Sequence, residues 1–174
     1  MTPPGLDFDA FVADHGRELE RYAYVLTGQP AAAQDLVQTA LLKAYRRWRR
    51  IAQVDHPHAY VRRILTNAYL DLRRRPVEQP MADVPEPVPD GTVIDPVDKF
   101  IATDEIRRAL TVLSPHQRAV IVLRHFGGLD DAAIAVELGC GQGTVRTHAT
   151  RGLQRMRAAL DGSTPTIELD GRRP

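Results

Sequence analysis

The chain has 174 residues, a formal net charge of +1, 43% hydrophobic residues and 6% aromatic residues, which suits one domain or two small helical ones. The single cysteine, Cys140, excludes an internal disulfide and any multi-cysteine metal site. The first residues lack the basic and apolar parts of a signal peptide, and no apolar run approaches the roughly 18 residues of a membrane span. We therefore expect a cytoplasmic protein with no membrane contact.

Charge is segregated along the chain even though it nearly cancels in total. Five of the eight residues from Lys43 to Arg50 are basic, and Gly139 to Arg157 holds four arginines and no acid. Between these two stretches, Val77 to Asp98 holds six acids and no base. Such segregation indicates that different segments of the chain meet different partners.

The N-terminal part of the chain begins with two predicted helices. Apolar residues recur at helical spacing from Phe8 to Leu26, and Gly28 and Pro30 end that helix. A second helix is expected from about Ala31 to Arg50. Its expected core stripe is Val37, Leu41, Ala44 and Trp48. Its opposite face, where an exposed leucine hints at a protein partner, is Asp35, Gln38, Leu42 and Arg46.

A loop over residues 51–58 precedes a third predicted helix, which Pro57 opens and which runs to about Arg75. Its expected inner residues are Val61, Ile64 or Leu65, Ala68 and Leu72. Its expected outer residues are Arg63, Thr66, Asn67, Leu70 and Arg74. An asparagine can pair with a base edge as donor and acceptor while flanking arginines hold phosphates, so this outer face is a candidate nucleic-acid surface.

Residues 76–98 form the clearest predicted linker. They contain six prolines and the six acids, a composition that cannot bury a core and favours an extended or disordered segment. The expected fold class is therefore all-α, with two small helical domains, residues 6–75 and 99–160, joined by an acidic Pro-rich linker. We expect these domains to be separate bodies and residues 161–174 to form a loose tail.

The sequence pattern of the second domain predicts a helix-turn-helix. After an amphipathic helix that begins near Asp98, the residues SPHQ at 114–117 combine an N-cap, a first-turn proline and a capping-box glutamine. Asp130 then caps a short helix that Gly139 ends, and a last helix follows from about Gly143 to Leu160. Its expected inner residues are Val145, Ala149, Leu153, Met156 and Leu160.

The outer face of this last helix has the side chains that a DNA-reading helix needs. A short helix, a glycine-marked turn and an arginine-rich helix together place a helix in the major groove in helix-turn-helix proteins. A bidentate arginine contact discriminates between bases by about 1–3 kcal/mol. The helix taken alone also fits a solvated C-terminal helix, and the turn before it favours DNA binding. The outer residues are Thr144, Thr147, His148, Arg151 and Arg155.

Other chemistries find little support, and we expect no enzyme activity, no cofactor and no metal. The glycines at 139–143 follow no predicted strand and are not followed by Lys-Ser or Lys-Thr, so they indicate a turn between helices. His56 and His58 flank a proline, but a metal site would need at least one more placed ligand. The acids cluster in a linker that cannot hold carboxylates at fixed separations.

Three separated segments carry a family resemblance. They are RYAYVLTGQPAAAQDLVQTALLKAYRRW, PHAYVRRILTNAYLDLRRR and LSPHQRAVIVLRHFGGLDDAAIAVELGCGQGTVRTHATRGL. These segments closely resemble extracytoplasmic-function sigma factors of RNA polymerase, a group of the sigma-70 superfamily, and the actinobacterial sigma-E-type subgroup is the most similar. The resemblance covers roughly residues 8–160.

The resemblance implies a non-enzymatic initiation factor that binds core RNA polymerase, directs it to promoters and assists DNA melting. The acidic linker would thread the polymerase cleft toward the RNA exit path, the C-terminal domain would also touch the flap, and an anti-sigma factor is a further candidate partner. Contacts to the clamp helices of the largest subunit would come from Asp35, Gln38, Leu42 and Arg46. The minus-ten element would meet the loop 51–58 together with Arg63, Thr66, Asn67 and Arg74. The minus-thirty-five element would meet Thr144, Arg146, Thr147, His148, Arg151 and Arg155.

Three positions depart from the family pattern, which usually has Glu at Thr39 and at Ala133 and Ser near Gly141. Asp130 would then cap its helix without a reciprocal partner, a loss of about 0.5–1 kcal/mol, and the last helix would begin with a weaker cap. The alternative function is a stand-alone helix-turn-helix regulator. Tight, sequence-specific binding to duplex DNA without polymerase would favour that alternative.

Overall fold

The computed structural model describes residues 7–74 and 104–162, and both ranges are helical without a strand, which confirms the all-α expectation. Within these ranges no helix combines the length and apolar character that crossing a membrane requires. The N-terminal helices are α1 (Phe8–Thr27), α2 (Pro30–Tyr45), α3 (Trp48–Ile51) and α4 (Pro57–Arg74). The C-terminal helices are α5 (Asp104–Thr111), α6 (Pro115–His125), α7 (Asp131–Leu138) and α8 (Gln142–Leu160).

The boundary between α1 and α2 follows local rules. Gly28 takes a left-handed conformation with φ 75°, and its N–H donates to the carbonyl of Tyr24 at 2.7 Å. This conformation suits glycine because it carries no Cβ. Pro30 then occupies the first turn of α2, where its missing N–H costs nothing. The predicted end of the first helix is therefore confirmed.

The second helix is shorter than the sequence predicted, because α2 ends at Tyr45 and a separate short helix follows. The indole of Trp48 packs against the rings of Phe8 and Phe11, with centroid distances of 5.0 and 4.9 Å. These contacts with α1 hold Trp48 on α3, and the chain turns at residues 46–47 to reach them. Ile51 is the buried end of α3, so the predicted loop begins one residue later.

The third predicted helix is confirmed as α4, but its faces differ from the prediction. Thr66 and Leu70, expected on the outside, are buried, while Leu72, expected inside, is 51% exposed. Of the two alternatives at the next inner position, Leu65 is buried and Ile64 is partly buried. The buried side of α4 is wide because the helix packs against α1 and α2 and also against α6 and α7 of the C-terminal half.

The C-terminal half is built around α6, in which every residue from Gln117 to Leu123 is buried. Both hydrogen bonds of the predicted capping box are present, between Ser114 and Gln117 at 3.2 and 3.4 Å. Helix α8 packs across α5, α6 and α7. Leu160, expected inside, is 50% exposed because it lies in the last turn of α8, near the end of the described range.

The two halves pack against each other, which differs from the expected separate bodies. The rings of Tyr22 and Phe126 meet at a centroid distance of 5.8 Å, and buried residues of both halves belong to one continuous apolar cluster. Nε of Arg118 donates to the carbonyl of Val25 at 2.9 Å. Apolar rings and a buried arginine bring the halves together, which the charge pattern did not indicate. The predicted linker, residues 76–98, and residues 163–174 of the predicted tail lie outside the described residues.

Candidate nucleic-acid and protein interfaces

Helix α8 presents one polar face outward. Its inner side buries Val145, Ala149 and Gly152 against the rest of the C-terminal half. Residues three and four apart share a helix face, so one continuous side of α8 is lined by Thr144, Thr147, His148, Arg151 and Arg155. Arg146 lies on a different flank of the helix, where it meets Asp131 of α7. His148 is half-buried, and the exposed members of the predicted set are Thr144, Arg146, Thr147, Arg151 and Arg155.

Three side chains of the predicted set already have hydrogen-bond or ion-pair partners in the protein. Nε of Arg146 lies 3.3 Å from Oδ2 of Asp131, and Arg155 donates to the side-chain oxygen of Gln117 at 3.3 Å. The hydroxyl of Thr147 donates to the carbonyl of Gly143 at 2.9 Å. Arg146 and Arg155 would therefore have to exchange these contacts for phosphate or base contacts on DNA.

Asp131 connects the two helices of the helix-turn-helix. Its carboxylate accepts from Arg124 of α6 as well as from Arg146 of α8. The hydrogen bond from Arg124 is the main reason that the pKa of Asp131 lies below its ordinary value. A carboxylate that stays ionised can orient Arg146 through its charge, although this pair is partly exposed and contributes little to stability.

His148 has a partner in the first turn of α6. Its imidazole stacks on that of His116 with a centroid distance of 5.6 Å and an interplanar angle of 22°. Burial, followed by the nearby His116 and Arg151, lowers the pKa of His148. A neutral imidazole can both donate and accept a hydrogen bond, which suits contact with a base edge.

Helices α7 and α8 both begin with the weak N-caps that the sequence predicted. Asp130 accepts from the N–H of Ala133 at 2.8 Å, and the alanine has no side chain to return a hydrogen bond. Gly139 ends α7 with φ 66°, and Gly141, the N-cap of α8, makes no side-chain hydrogen bond. Gly152 was not among the predicted site residues. A Cβ at that position would lie 3.2 Å from Cγ1 of Ile121, so the glycine permits close packing of α8 on α6.

On α4, three of the four predicted DNA-contacting residues, Arg63, Asn67 and Arg74, are exposed. Thr66 is fully buried, so the prediction that it lies on the outer, DNA-contacting face is wrong. Its hydroxyl lies 2.7 Å from the hydroxyl of Tyr22 and 3.0 Å from the carbonyl of Arg62. Burial also raises the pKa of Tyr22, so the pair is a neutral, hydrogen-bonded part of the core. Thr66 therefore supports α4 from inside.

The predicted polymerase-binding residues lie together on the exposed side of α2 and the turn after it. Leu42 is 54% exposed, and Tyr45, which was not among the predicted residues, is 62% exposed one turn later. The ring of Tyr45 meets that of Phe8 edge-on at 5.1 Å. Two large apolar side chains beside polar groups suit a protein partner. The polar members of this surface, all exposed, are Asp35, Gln38 and Arg46.

An ion pair with two hydrogen bonds joins the halves at α4 and α7. Nε and Nη2 of Arg62 lie 3.3 Å from the two carboxylate oxygens of Glu137, and both side chains are largely buried, with 12% and 8% exposed. Arg118 extends the same interface, and burial lowers the pKa of its guanidinium. Arg62 and Glu137 lie 75 positions apart in the sequence, and Arg118 and Val25 lie 93 positions apart. Local sequence patterns therefore could not reveal these contacts.

Comparison with known proteins agrees with this architecture. Residues 11–76 match the profile of sigma-70 region 2, and residues 103–156 match that of sigma-70 region 4. The chain is 35% identical to the RNA polymerase sigma-E factor of Streptomyces avermitilis over 168 residues, which cover 96% of this chain and 90% of the relative. It is 32% identical to the ECF RNA polymerase sigma factor SigL of Mycobacterium tuberculosis over 158 residues, 87% of each chain.

A solved structure gives the same fold. The sigma factor RpoE of Bartonella quintana, crystallised with the anti-sigma factor NepR, aligns with a TM-score of 0.67 at 24% identity, covering 89% of this chain and 97% of that one. Region 2 lies on the N-terminal half of the described structure and region 4 on the C-terminal half. The chain thus belongs to the sigma-70 family of RNA polymerase sigma factors, in the extracytoplasmic-function group.

Proposed function

We propose that this chain recruits core RNA polymerase to promoters, with α2 on the polymerase, α4 on the minus-ten element and α8 on the minus-thirty-five element. The observation that carries the proposal is the joint presence of regions 2 and 4 on one chain, each with an exposed polar helix face. The chain acts by binding and positioning, and no bond-making chemistry is assigned to it.

At the minus-thirty-five element, α8 would enter the major groove with its outer face toward the bases. Arg151 lies near the centre of that face and is exposed, so it is the strongest candidate for a base contact. Arg146 would exchange its contact with Asp131 for one with a phosphate or a base edge. Thr144 and Thr147 would approach the DNA backbone. Arginine contacts of this kind set both sequence preference and salt sensitivity.

At the minus-ten element, α4 would present Asn67 between Arg63 and Arg74. An asparagine amide can pair with a base edge that has left the stack, and the arginines can hold the phosphates on either side. Thr66 takes no part in this contact because it is buried. The loop that precedes α4 would help to stabilise the separated strands.

On the polymerase, the exposed surface of Leu42 and Tyr45 with Asp35, Gln38 and Arg46 would bind the clamp helices of the largest subunit. The acidic residues 76–98 would follow the cleft toward the RNA exit path, and the C-terminal half would reach the flap. An anti-sigma factor remains a proposed partner, supported by the similar Bartonella structure, which contains one. A cytoplasmic location follows from this function.

The packed arrangement of the halves cannot contact both promoter elements at once. The elements take their names from positions 25 base pairs apart, about 85 Å at about 3.4 Å per base pair. A compact chain of this length has a radius of gyration of about 16 Å, and hence a diameter of about 40 Å. The Arg62–Glu137 contact must therefore open when the protein engages a promoter on the polymerase.

The test uses the purified chain, bacterial core RNA polymerase and a promoter selected by sequencing the transcripts that the protein induces. We expect a stable complex with core at low salt and initiation that depends on the protein. Failure to bind core would overturn the proposal. Tight, sequence-specific binding to duplex DNA without polymerase would instead support a stand-alone helix-turn-helix regulator.

A further inference from the structure

Two histidines and a carboxylate from distant parts of the chain converge beside the start of α4. His15 and Glu18 lie one turn apart on α1, and His58 is the second residue of α4. One ligand atom from each of the three side chains lies within 4.8 Å of the other two. The imidazoles of His15 and His58 are 4.8 Å apart at their centroids, with an interplanar angle of 36°.

Ordinary hydrogen bonding does not account for the position of His58. Its Nε2 is buried and has no hydrogen-bond partner in the described part of the chain. That atom lies 3.3 Å from Oε2 of Glu18, which is an ion-pair distance, but the direction between the two atoms does not suit a hydrogen bond. A buried nitrogen without a partner is uncommon in a well-packed protein, and a bound ligand is one recognised explanation.

The cluster is accessible from solvent. It borders a cleft of about 310 Å³ between α1 and the loop before α4, and Asp55 and His56 also line that cleft. The side chain of Glu18 is 56% exposed, so an ion can enter without unfolding the protein. A water molecule or a second group from the loop can complete a coordination shell there.

We propose that His15, Glu18 and His58 bind a divalent transition-metal ion of the zinc class. Two imidazole nitrogens and one carboxylate suit Zn²⁺ and its neighbours in the transition series, whereas Mg²⁺ and Ca²⁺ prefer oxygen ligands alone. Ligand atoms around tetrahedral zinc lie about 3.3 Å apart, given metal–ligand distances of about 2.0–2.1 Å. Rotation of the exposed Glu18 side chain and small ring movements bring the three groups to that spacing.

An ion bound at this position would affect the structure of the N-terminal half. It would tie α1 to the first turn of α4, the helix that carries Arg63 and Asn67, and so restrict the loop before it. Glu18 and His58 also border a small cleft with Arg62 and Phe126, at the edge of the contact between the halves. Occupancy of the site would therefore order the N-terminal half next to the promoter-melting surface. The binding site itself stands on side-chain geometry and does not depend on the proposed function.

The experiment measures Zn²⁺ uptake by the untagged full-length chain after treatment with a chelator, in competition with a metal-binding dye. We expect one ion per chain and a higher melting temperature with Zn²⁺ present. The variants Glu18→Gln, His15→Gln and His58→Gln should each bind at least about tenfold more weakly, because even outer-shell partners are worth about 10–100-fold in metal affinity. Co²⁺ added to the wild type should give the visible absorption of a low-coordinate site.

Matched controls are Glu20→Gln on α1 and His125→Gln at the end of α6, both exposed and outside the cluster. Both should bind Zn²⁺ as the wild type does. Circular dichroism verifies the fold of each variant, and Glu18→Gln is the decisive one because the exposed side chain can be changed without disturbing the core. Absence of Zn²⁺ uptake by the wild type, or unchanged affinity in Glu18→Gln and His15→Gln, would overturn the proposal.

Discussion

Helices α4 and α8 were both expected to present a polar face to DNA, but they differ in how much of that face is exposed. On α8 the predicted outer face remains outside, because the main packing partners of that helix, α5, α6 and α7, all belong to its own half. On α4 the outer face is narrower, since Thr66 and Leu70 are buried. A helix with one buried side can be interpreted from its periodicity, whereas a helix between two halves of a protein has a second buried side that periodicity alone does not reveal.

The largest effect is expected at the contact that gives α4 its second buried side. Replacing Glu137 with Ala leaves the Arg62 guanidinium buried without its carboxylate, which should weaken the packed arrangement by about 3–5 kcal/mol. Small-angle scattering should show a larger radius of gyration, and binding to core polymerase should tighten because opening becomes easier. Glu20→Ala, at an exposed position, is the control. A Glu137→Ala protein that stays compact would contradict this account of the contact.

The neighbours Thr66 and Asn67 separate structural from DNA-binding roles within α4. Thr66→Val should lower the free energy of unfolding by about 1–3 kcal/mol, because the buried hydroxyl of Tyr22 loses its partner. Asn67→Ala should change it by no more than about 0.5 kcal/mol, since the side chain is exposed, yet impair open-complex formation more than recruitment. Chemical denaturation and permanganate footprinting measure the two effects. Equal stability losses in both variants would disprove the distinction.

Arg151 tests the outer face of α8. Arg151→Ala should reduce discrimination at one base pair of the minus-thirty-five element by about 1–3 kcal/mol without altering affinity for core polymerase. Arg157→Ala removes the same charge from an exposed position outside the predicted set, so it should lower binding without changing sequence preference. Competition between promoter variants measures the preference. Loss of core binding in Arg151→Ala would refute the assignment.

The smallest effect concerns the weak cap of α7. Ala133→Glu would supply a side chain that returns a hydrogen bond to the N-cap, Asp130, and should stabilise the C-terminal half by about 0.5–1 kcal/mol. Thermal unfolding measures the gain. Ala132→Glu, an adjacent exposed position with the same added charge, is the control. An equal gain from both variants would show that charge near the helix N-terminus matters, and not the reciprocal cap.

Much of the architecture was predictable because its causes are local. The capping box at Ser114 and Gln117 and the left-handed Gly139 each depend on residues within four positions of one another. The break after Tyr45 was not predictable in this way, because it depends on Trp48 packing against two aromatic residues of α1. Propensity favoured one long helix there, and tertiary contacts overrode it.

For the candidate sites, the sequence by itself determined which residue types line α8 and where that helix begins, since helical spacing and a glycine turn are sufficient for both. Only the tertiary structure decided that Thr66 lies inside, that Arg62 meets Glu137 across 75 positions, and that His15 and Glu18 join His58. The reason is that burial and coordination depend on distances in space. Local spacing specifies such distances within a helix but not between helices far apart in the chain.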